Sequence, residues 1–278
     1  MIQKPKTTED YILLLLKGGP ISTTNLLAKI QKSKSGLTKQ GFYKTLRILI
    51  QEEVVVVRNK IVSLSHVWIL KMSQFFENAK RSYSIETAGE DFLLLGDGEK
   101  VSYTFKSPEQ TDMFWGHAFS VLVDTMKEDN VFLFNPHEWF LFARYDTERV
   151  LFDGVLKRNK KLFVLSGNNT PLDVFSKKDF DGDKSQYFTL DTNPFEKQNY
   201  YVNVFGDFLI EAWLDENVSQ NIDAWYKKHT AATDEAIEEL KQIVVQKGRN
   251  KFSISRNARK AEKIKSLFKK YFHVPKAG

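Results

Sequence analysis

Leu37-Thr38-Lys39-Gln40-Gly41-Phe42-Tyr43-Lys44-Thr45-Leu46-Arg47-Ile48-Leu49-Ile50-Gln51-Glu52-Glu53-Val54-Val55 is the most informative stretch of the chain. Phe42, Leu46, Leu49 and Ile50 recur at i, i+4, i+7 and i+8, the spacing of one buried helix face, and Thr38 is a suitable cap for a helix running to about Glu52. Val54 to Val57 is then a β-branched strand, Arg58-Asn59-Lys60 a turn, and Ile61 to Leu64 a return strand. At ~100° per residue, Gln40, Lys44, Arg47 and Gln51 leave the other side of the helix within a sector of roughly 60°.

Two shorter helices precede it. Thr7 or Thr8 caps the first, with Glu9 and Asp10 beside the positive end of its dipole and Gly18-Gly19-Pro20 ending it. Ser22, Thr23 or Thr24 caps the second, which carries Leu26, Leu27 and Ile30 and ends near Gln31. Lys32 to Gly36 is a polar turn. Helix, helix, turn, helix and hairpin is the order of a winged helix-turn-helix. In such a module Lys39 lies in the first turn of the third helix, where base edges are met, and Tyr43 flanks the polar sector. Arg forks onto guanine, Gln pairs with adenine and Lys reaches phosphate. The candidate DNA-binding residues are therefore Lys39, Gln40, Tyr43, Lys44 and Arg47, with Arg58 and Lys60 at the wing. The same pattern also describes a three-helix bundle with a solvated basic face, or a winged helix that binds protein.

The quoted stretch resembles the recognition helix and wing entry of archaeal and bacterial winged-helix transcriptional regulators, through its Tyr-x-x-Leu-x-x-Leu core and the valine-rich strand after it. The resemblance covers about a quarter of the chain. It implies a DNA-binding N-terminal domain.

Charge supports two separate tasks. The 278 residues carry 41 Lys and Arg against 35 Asp and Glu. That balance is uneven: residues 1–80 hold 13 basic and 5 acidic side chains, net +8; residues 81–246 hold 17 and 29, net −12; residues 247–278 hold 11 and 1, net +10. A basic block next to an acidic one points to a polyanion partner for the first. With no cysteine, disulfide frameworks, cysteine-based zinc sites and cysteine nucleophiles are excluded, which suits a reducing compartment. The expected address is the cytoplasm. Ile12 to Leu16, the longest aliphatic run, falls far short of the ~18 residues of a membrane span. Glu9 and Asp10 before it and Lys17 after it do not fit a signal peptide.

Downstream, Val67 to Arg81 reads as a helix with Trp68, Met72, Phe75, Phe76 and Ala79 on a stripe that needs a partner; it is either a dimerising helix or one packed on its own chain. The character of the sequence changes at Ile85. Asp91 to Leu95 and Lys100 to Phe105 alternate about Gly96-Asp97-Gly98-Glu99 as a hairpin. A helix starts at Ser107-Pro108-Glu109 and runs to about Lys127. A strand at Val131 to Phe134, a helix from about Thr147 to Lys160 and a strand at Leu162 to Ser166 indicate an α/β layer with parallel strands. Strands at Gln186–Leu190, Tyr200–Phe205 and Phe208–Leu214 follow. Helices at about Ser219–His229 and Thr233–Gln246, a strand at Lys251–Ser255 and a helix at Asn257–Phe272 complete the pattern. The last helix has an apolar face of Ala261, Ile264, Leu267, Phe268, Tyr271 and Phe272. Its Arg259, Lys260, Lys263, Lys265, Lys269 and Lys270 either offset the acidic middle or make an auxiliary contact with DNA or an anionic ligand.

Val131 to Phe134, Val155 to Leu165 and Tyr200 to Trp213 resemble a degenerate phospholipase D-like domain, which follows the winged helix in TrmB-like sugar-responsive regulators. In active enzymes of that fold a His-x-Lys-x-x-x-x-Asp motif supplies the nucleophile and the phosphate-binding lysine. None of His66, His117, His137, His229 and His273 has a lysine two residues on. The resemblance thus implies a domain that senses a ligand and does not hydrolyse it.

Other chemistry is sparse. There is no Walker loop, Gly-x-Gly-x-x-Gly or Gly-x-Ser-x-Gly, and His137-Glu138 lacks the second histidine of a zinc protease. Asp179, Asp181, Asp183 and Ser185 start like a calcium loop, but Lys184 stands where glycine is needed and Leu190 where glutamate is; a solvated acidic turn fits better. Asn135-Pro136-His137-Glu138-Trp139 is either a loop for a ligand pocket or a helix start with Trp139 in the core.

The sequence therefore predicts an α+β winged helix-turn-helix at 1–65, a linker helix at 66–83 and an α/β domain at 84–278, phospholipase D-like without the catalytic motif. The expected protein is a non-enzymatic, sequence-specific transcriptional regulator that binds double-stranded DNA as a homodimer. A ligand or partner on the second domain controls it, a small-molecule effector being one candidate; the ligand-binding residues are not identifiable. No cofactor, metal or membrane association is expected. The alternatives are a phosphodiesterase or nuclease of the second domain, and a protein-interaction module that uses the winged helix.

Overall fold

The structure, a computed structural model, describes residues 5–82, 91–195 and 197–274. The chain divides into two compact units, residues 1–88 and 89–278. The first is rich in helix and the second is built on a mixed sheet. The predicted boundary at 83/84 and the change of character at Ile85 lie outside the described residues.

In the first unit Thr7 closes a capping box with Asp10 and starts α1 (Thr8–Leu16), as its hydroxyl and the acidic third position favour. Ile21–Ser22 is a short strand, β1, which the sequence reading missed; its Ser22 also caps α2 (Thr23–Ser33). Thr38 accepts the Gly41 N–H and opens α3 (Lys39–Gln51), followed by β2 (Val55–Arg58) and β3 (Ile61–Leu64). The three strands form an antiparallel sheet in the order β1-β3-β2. Ile12, Leu16, Leu26, Ile30, Phe42, Leu46, Leu49, Val55 and Val62 make one core. Ile50, expected on the buried face, is 41% exposed: it lies about 100° from Leu49, at the margin of the stripe. The helix α4 (His66–Ser82) comes next. Trp68 packs on the core of this unit, while Val67, Leu70, Phe75 and Phe76 are exposed.

The second unit departs from the expected hairpin. Asp91–Leu94 is a single 3-10 turn, and β4 (Lys100–Phe105) pairs instead with a strand 145 residues further on. Phe92 is fully buried and Leu94 exposed, so the apolar run anchors a turn and adds no strand. The remaining elements are α5 (Pro108–Thr125), β5 (Asn130–Asn135), α6 (Trp139–Ala143), α7 (Tyr145–Lys157), β6 (Lys161–Ser166), α8 (Pro171–Phe180), β7 (Ser185–Thr189), β8 (Tyr200–Phe205), β9 (Phe208–Trp213), α9 (Glu216–Lys228), α10 (Asp234–Val244), β10 (Asn250–Arg256) and α11 (Ala258–Phe268). Sequence analysis missed α8, gave only the start of α6 as one of two alternatives, and drew α5 and α11 a few residues too long.

The seven strands run in the order β4-β10-β9-β8-β5-β6-β7. The last three are parallel, as the β5-α7-β6 crossover requires; the others are antiparallel. Alternation along the strands sends Val131, Leu133, Leu162 and Val164 to one face, under α5, α6, α7, α9 and α10. Phe132, Phe134, Phe163, Leu165, Val202 and Val204 face the other way, beneath Ala261, Ile264 and Phe268 of α11. Tyr271, predicted on the buried face of that helix, is 37% exposed. Gly206 turns β8 into β9 at φ +54°, where a side chain would also collide with Glu128.

Candidate functional site

The α3 face is built by its cap and its stripe. Gly36, at φ +86°, lets the chain turn after α2, and the Thr38 cap then fixes the first turn of the helix. With Phe42, Leu46 and Leu49 in the core, Lys39, Gln40, Tyr43, Lys44 and Arg47 are all exposed. Together with Thr38 and Gly41 they line a shallow groove. The Arg47 Nε donates to the Tyr43 carbonyl at 3.3 Å, leaving the rest of its guanidinium for another acceptor.

The wing is equally explicit. Arg58 pairs with Ile61, so Asn59 and Lys60 form a two-residue turn with φ of 51° and 62°. This is the geometry that suits the twist of a hairpin. Asparagine tolerates it; lysine does not, at a cost of about 1–2 kcal/mol relative to glycine. A cation thus occupies the wing tip where glycine would be cheaper. The Lys60 carbonyl receives the Thr23 N–H at 2.8 Å, tying the tip to α2. Among the described residues, none of Lys39, Lys44, Arg47, Arg58 and Lys60 takes part in an ion pair.

In the second unit the Asn135–Trp139 segment is a helix start with Trp139 in the core, though its N-cap residue Glu138 makes no side-chain cap. Trp139 begins α6 in the core, 2% exposed, and together with Asn135 it lines a narrow pocket completed by Asp112, Trp115, Phe140 and Tyr201. His137, two residues before Trp139, is buried. Its Nδ1 meets Asp173 at 3.0 Å, its Nε2 meets Asp223 at 3.1 Å, and its ring stacks on Tyr226 at 4.0 Å. Both ring nitrogens are therefore engaged by carboxylates. Burial opposes charge on the ring, but the hydrogen bonds and charges of Asp173 and Asp223 outweigh it and raise its pKa. The bond to His137 holds Asp223 down at about 2.

Sequence reading named Asn135 and Glu138 beside this histidine but missed Asp112, Glu148, Asp173 and Asp223, which are scattered along the chain. Asn135 donates to Glu138 at 2.8 Å, yet among the described residues the other Glu138 oxygen and both of Glu148 have no hydrogen-bond partner. Burial pushes Glu138 up to about 8 and Glu148 in the same direction. Asp112 pairs with Arg144, and burial still lifts it to about 6. Asn203 accepts the Trp115 indole N–H. Among the described residues no group of His, Asp and Glu is arranged to hold a metal ion. Of the acidic turn, Asp181 accepts the Tyr187 N–H at 3.0 Å, and the side chain of Asp179 lies outside the described residues. No described helix is long and apolar enough to cross a membrane.

No family model matches the chain, and no curated protein matches it. Among solved structures it is similar to TrmBL2, an archaeal chromatin protein whose structure shows a novel mode of DNA binding, at 13% identity and a TM-score of 0.35 over 94% of this chain and 89% of that one. It is also similar to NucT from Helicobacter pylori, at 14% identity and a TM-score of 0.35 over 62% of this chain and 95% of that one. Both are remote resemblances of chain trace, and the functional reading rests on the residues described above.

Proposed function

We propose that the chain is a sequence-specific DNA-binding transcriptional regulator, with an N-terminal winged helix-turn-helix and a C-terminal α/β sensor domain of phospholipase D-like type that performs no catalysis. The observation that carries the reading is the α3 face and wing: Lys39, Lys44, Arg47, Arg58 and Lys60 are exposed and, among the described residues, free of ion pairs, with Gln40 and Tyr43 between them. In this reading α3 enters the major groove, its polar sector reads bases, and the wing grips the backbone. A second copy binds the other half of a palindromic site, and the exposed Val67, Leu70, Phe75 and Phe76 of α4 are the surface such a copy covers. The protein works in the cytoplasm under the control of a small-molecule effector or partner held by the second domain.

The test is selection from a random genomic duplex library across a salt series. A retained palindromic motif, with affinity falling as salt rises, is the expected result. Against it, Lys44→Ala and Arg47→Ala should each weaken binding by about 1–3 kcal/mol for a base contact, or lower the salt slope by about one for a phosphate contact. Operator binding unchanged in both variants would overturn the face assignment. Absence of retention at ~50 mM salt, where phosphate contacts are strongest, would favour a winged helix that binds protein.

Lys60→Gly separates stability from binding. Removing the left-handed lysine should stabilise the first unit by about 1 kcal/mol, while removal of its charge should weaken DNA binding and lower the salt slope by about one. Thermal melts and the salt series check the two halves. A variant that is stabilised but binds as wild type does would take the wing off the DNA.

A further inference from the structure

The charge pattern of the C-terminal stretch has a sharper meaning in three dimensions than in sequence. Net +10 over residues 247–278 suggests the outer face of α11, but that face is partly neutralised: Lys260 bonds Glu211 at 2.7 Å, and Lys265 and Lys269 both reach Glu262. The unpaired cations gather elsewhere. Lys100 of β4, Lys197 of the β7–β8 connection, Arg249 and Lys251 at the start of β10 line one broad groove around Trp213 at the end of β9. All four are exposed, and among the described residues none is in an ion pair.

The sheet explains the convergence. Lys251 pairs with both Trp213 and Thr104, and Ser255 with both Leu209 and Lys100, so Lys100, Lys251 and Trp213 project from the same face. Lys100 places its Nζ 5.7 Å from the Trp213 ring centre. Tyr200 supports the indole at 5.3 Å and gives its own hydroxyl to Glu211 at 2.6 Å, the same carboxylate that Lys260 meets. Toward β4 this face is uncovered: Ser102 and Thr104 are exposed beside Lys100. Two acidic residues border the groove, Asp215 and Glu216. The Asp215 carboxylate is taken up by the backbone N–H groups of Asn217 and Arg249, at 3.1 and 3.0 Å, leaving Glu216 against four cations.

We propose that this groove is a second binding site, for the sugar–phosphate backbone of a nucleic acid. Dispersed lysines and an arginine around an aromatic side chain suit a chain of phosphates with unsaturated rings attached. The groove belongs to the second unit and α3 to the first, and its function does not depend on that of α3.

The test uses the full chain and two probes, a single strand of about 20 nucleotides and a duplex of about 20 base pairs without an operator, titrated by fluorescence anisotropy across a salt series. A background of Lys44→Ala with Arg47→Ala removes the contribution of α3. In that background, Lys100→Ala with Lys251→Ala should weaken binding roughly tenfold or more and lower the duplex salt slope by about two. The exposed pair Lys127→Ala with Lys157→Ala, which is outside the groove and changes net charge equally, should leave both quantities nearly unchanged. Loss on the single strand alone assigns the groove to unpaired nucleic acid; loss on both probes assigns it to the backbone of either form. If the two lysine pairs behave alike, whether both weaken binding or neither does, the groove is not a nucleic-acid site. Failure of the operator experiment concerns α3 alone and leaves this outcome readable.

Discussion

The second unit is expected to melt about 10 °C lower at pH 8.5 than at pH 5, the reverse of what a protein stabilised by surface carboxylates would do. Glu138 dominates the effect. In the unfolded chain it ionises near its ordinary value of 4.5, whereas burial in the fold raises it to about 8. Between those values the folded form holds a proton that the unfolded form has released, so raising the pH favours unfolding. At ~1.4 kcal/mol per pH unit the whole window corresponds to about 3–5 kcal/mol. Glu148 and Asp112 are raised by the same cause and contribute in the same direction. His137 does too: its stabilisation by Asp173 and Asp223 is complete below the ordinary histidine value and is lost as pH rises through the raised one. Asp223 sets the acid limit, because its contribution is present above the ordinary aspartate value and disappears as pH falls toward about 2. Of the five tryptophans, Trp115, Trp139, Trp213 and Trp225 lie in the second unit, so tryptophan fluorescence melts report mainly on it. Glu138→Gln keeps the shape without the ionisable proton and should flatten most of the alkaline slope. A variant whose melting temperature tracks pH as steeply as wild type would show that Glu138 is already ionised in the fold.

How much of this was legible depends on the range over which each signal acts. The α3 stripe is local, so Phe42, Leu46 and Leu49 could be placed in a core and Lys44 and Arg47 outside it from periodicity alone. Ile50, at the stripe's edge, could not. The strand partner of β4 is non-local: nothing in Lys100–Phe105 points to Asn250–Ser255, and a nearby apolar run, Phe92-Leu93-Leu94-Leu95, offered a false alternative. The helix α6 carries four consecutive apolar residues, Trp139 to Phe142, all buried; a helix buried on every side shows no period. For α8 there was a usable signal, since Thr170-Pro171-Leu172-Asp173 reads as a capping box with proline at the first position, and the structure forms that box. The groove around Trp213 collects residues 100, 197, 213, 249 and 251, and only the sheet order brings them together. Charge counting indicated that cations were in excess at the C-terminus, and the pairing of Lys260, Lys265 and Lys269 with carboxylates shows which of them are not free.

Replacing His137 is expected to be among the most damaging single changes in the second unit. The ring joins the β5–α6 connection to α8 through Asp173 and to α9 through Asp223, and the Asp173 side chain is wholly buried. Asp173 retains Thr170, whose N–H and hydroxyl donate at 3.1 and 2.7 Å, but without His137 its carboxylate would be left in the interior with no cation beside it. Breaking a buried pair from one side costs about 3–5 kcal/mol, a large part of the ~5–15 kcal/mol that holds a domain together. Two substitutions distinguish charge from packing. His137→Ala removes both, while His137→Phe preserves the stacking on Tyr226 and deletes only the nitrogens. If the carboxylates are what matter, His137→Phe should lose nearly as much stability as His137→Ala in urea unfolding near pH 6. Asp173→Asn should then recover part of the loss in the His137→Phe background, an interaction energy of about 1–3 kcal/mol in the double-mutant cycle. Wild-type stability in His137→Phe would make the histidine a packing residue, and its two carboxylate contacts would be incidental to the fold.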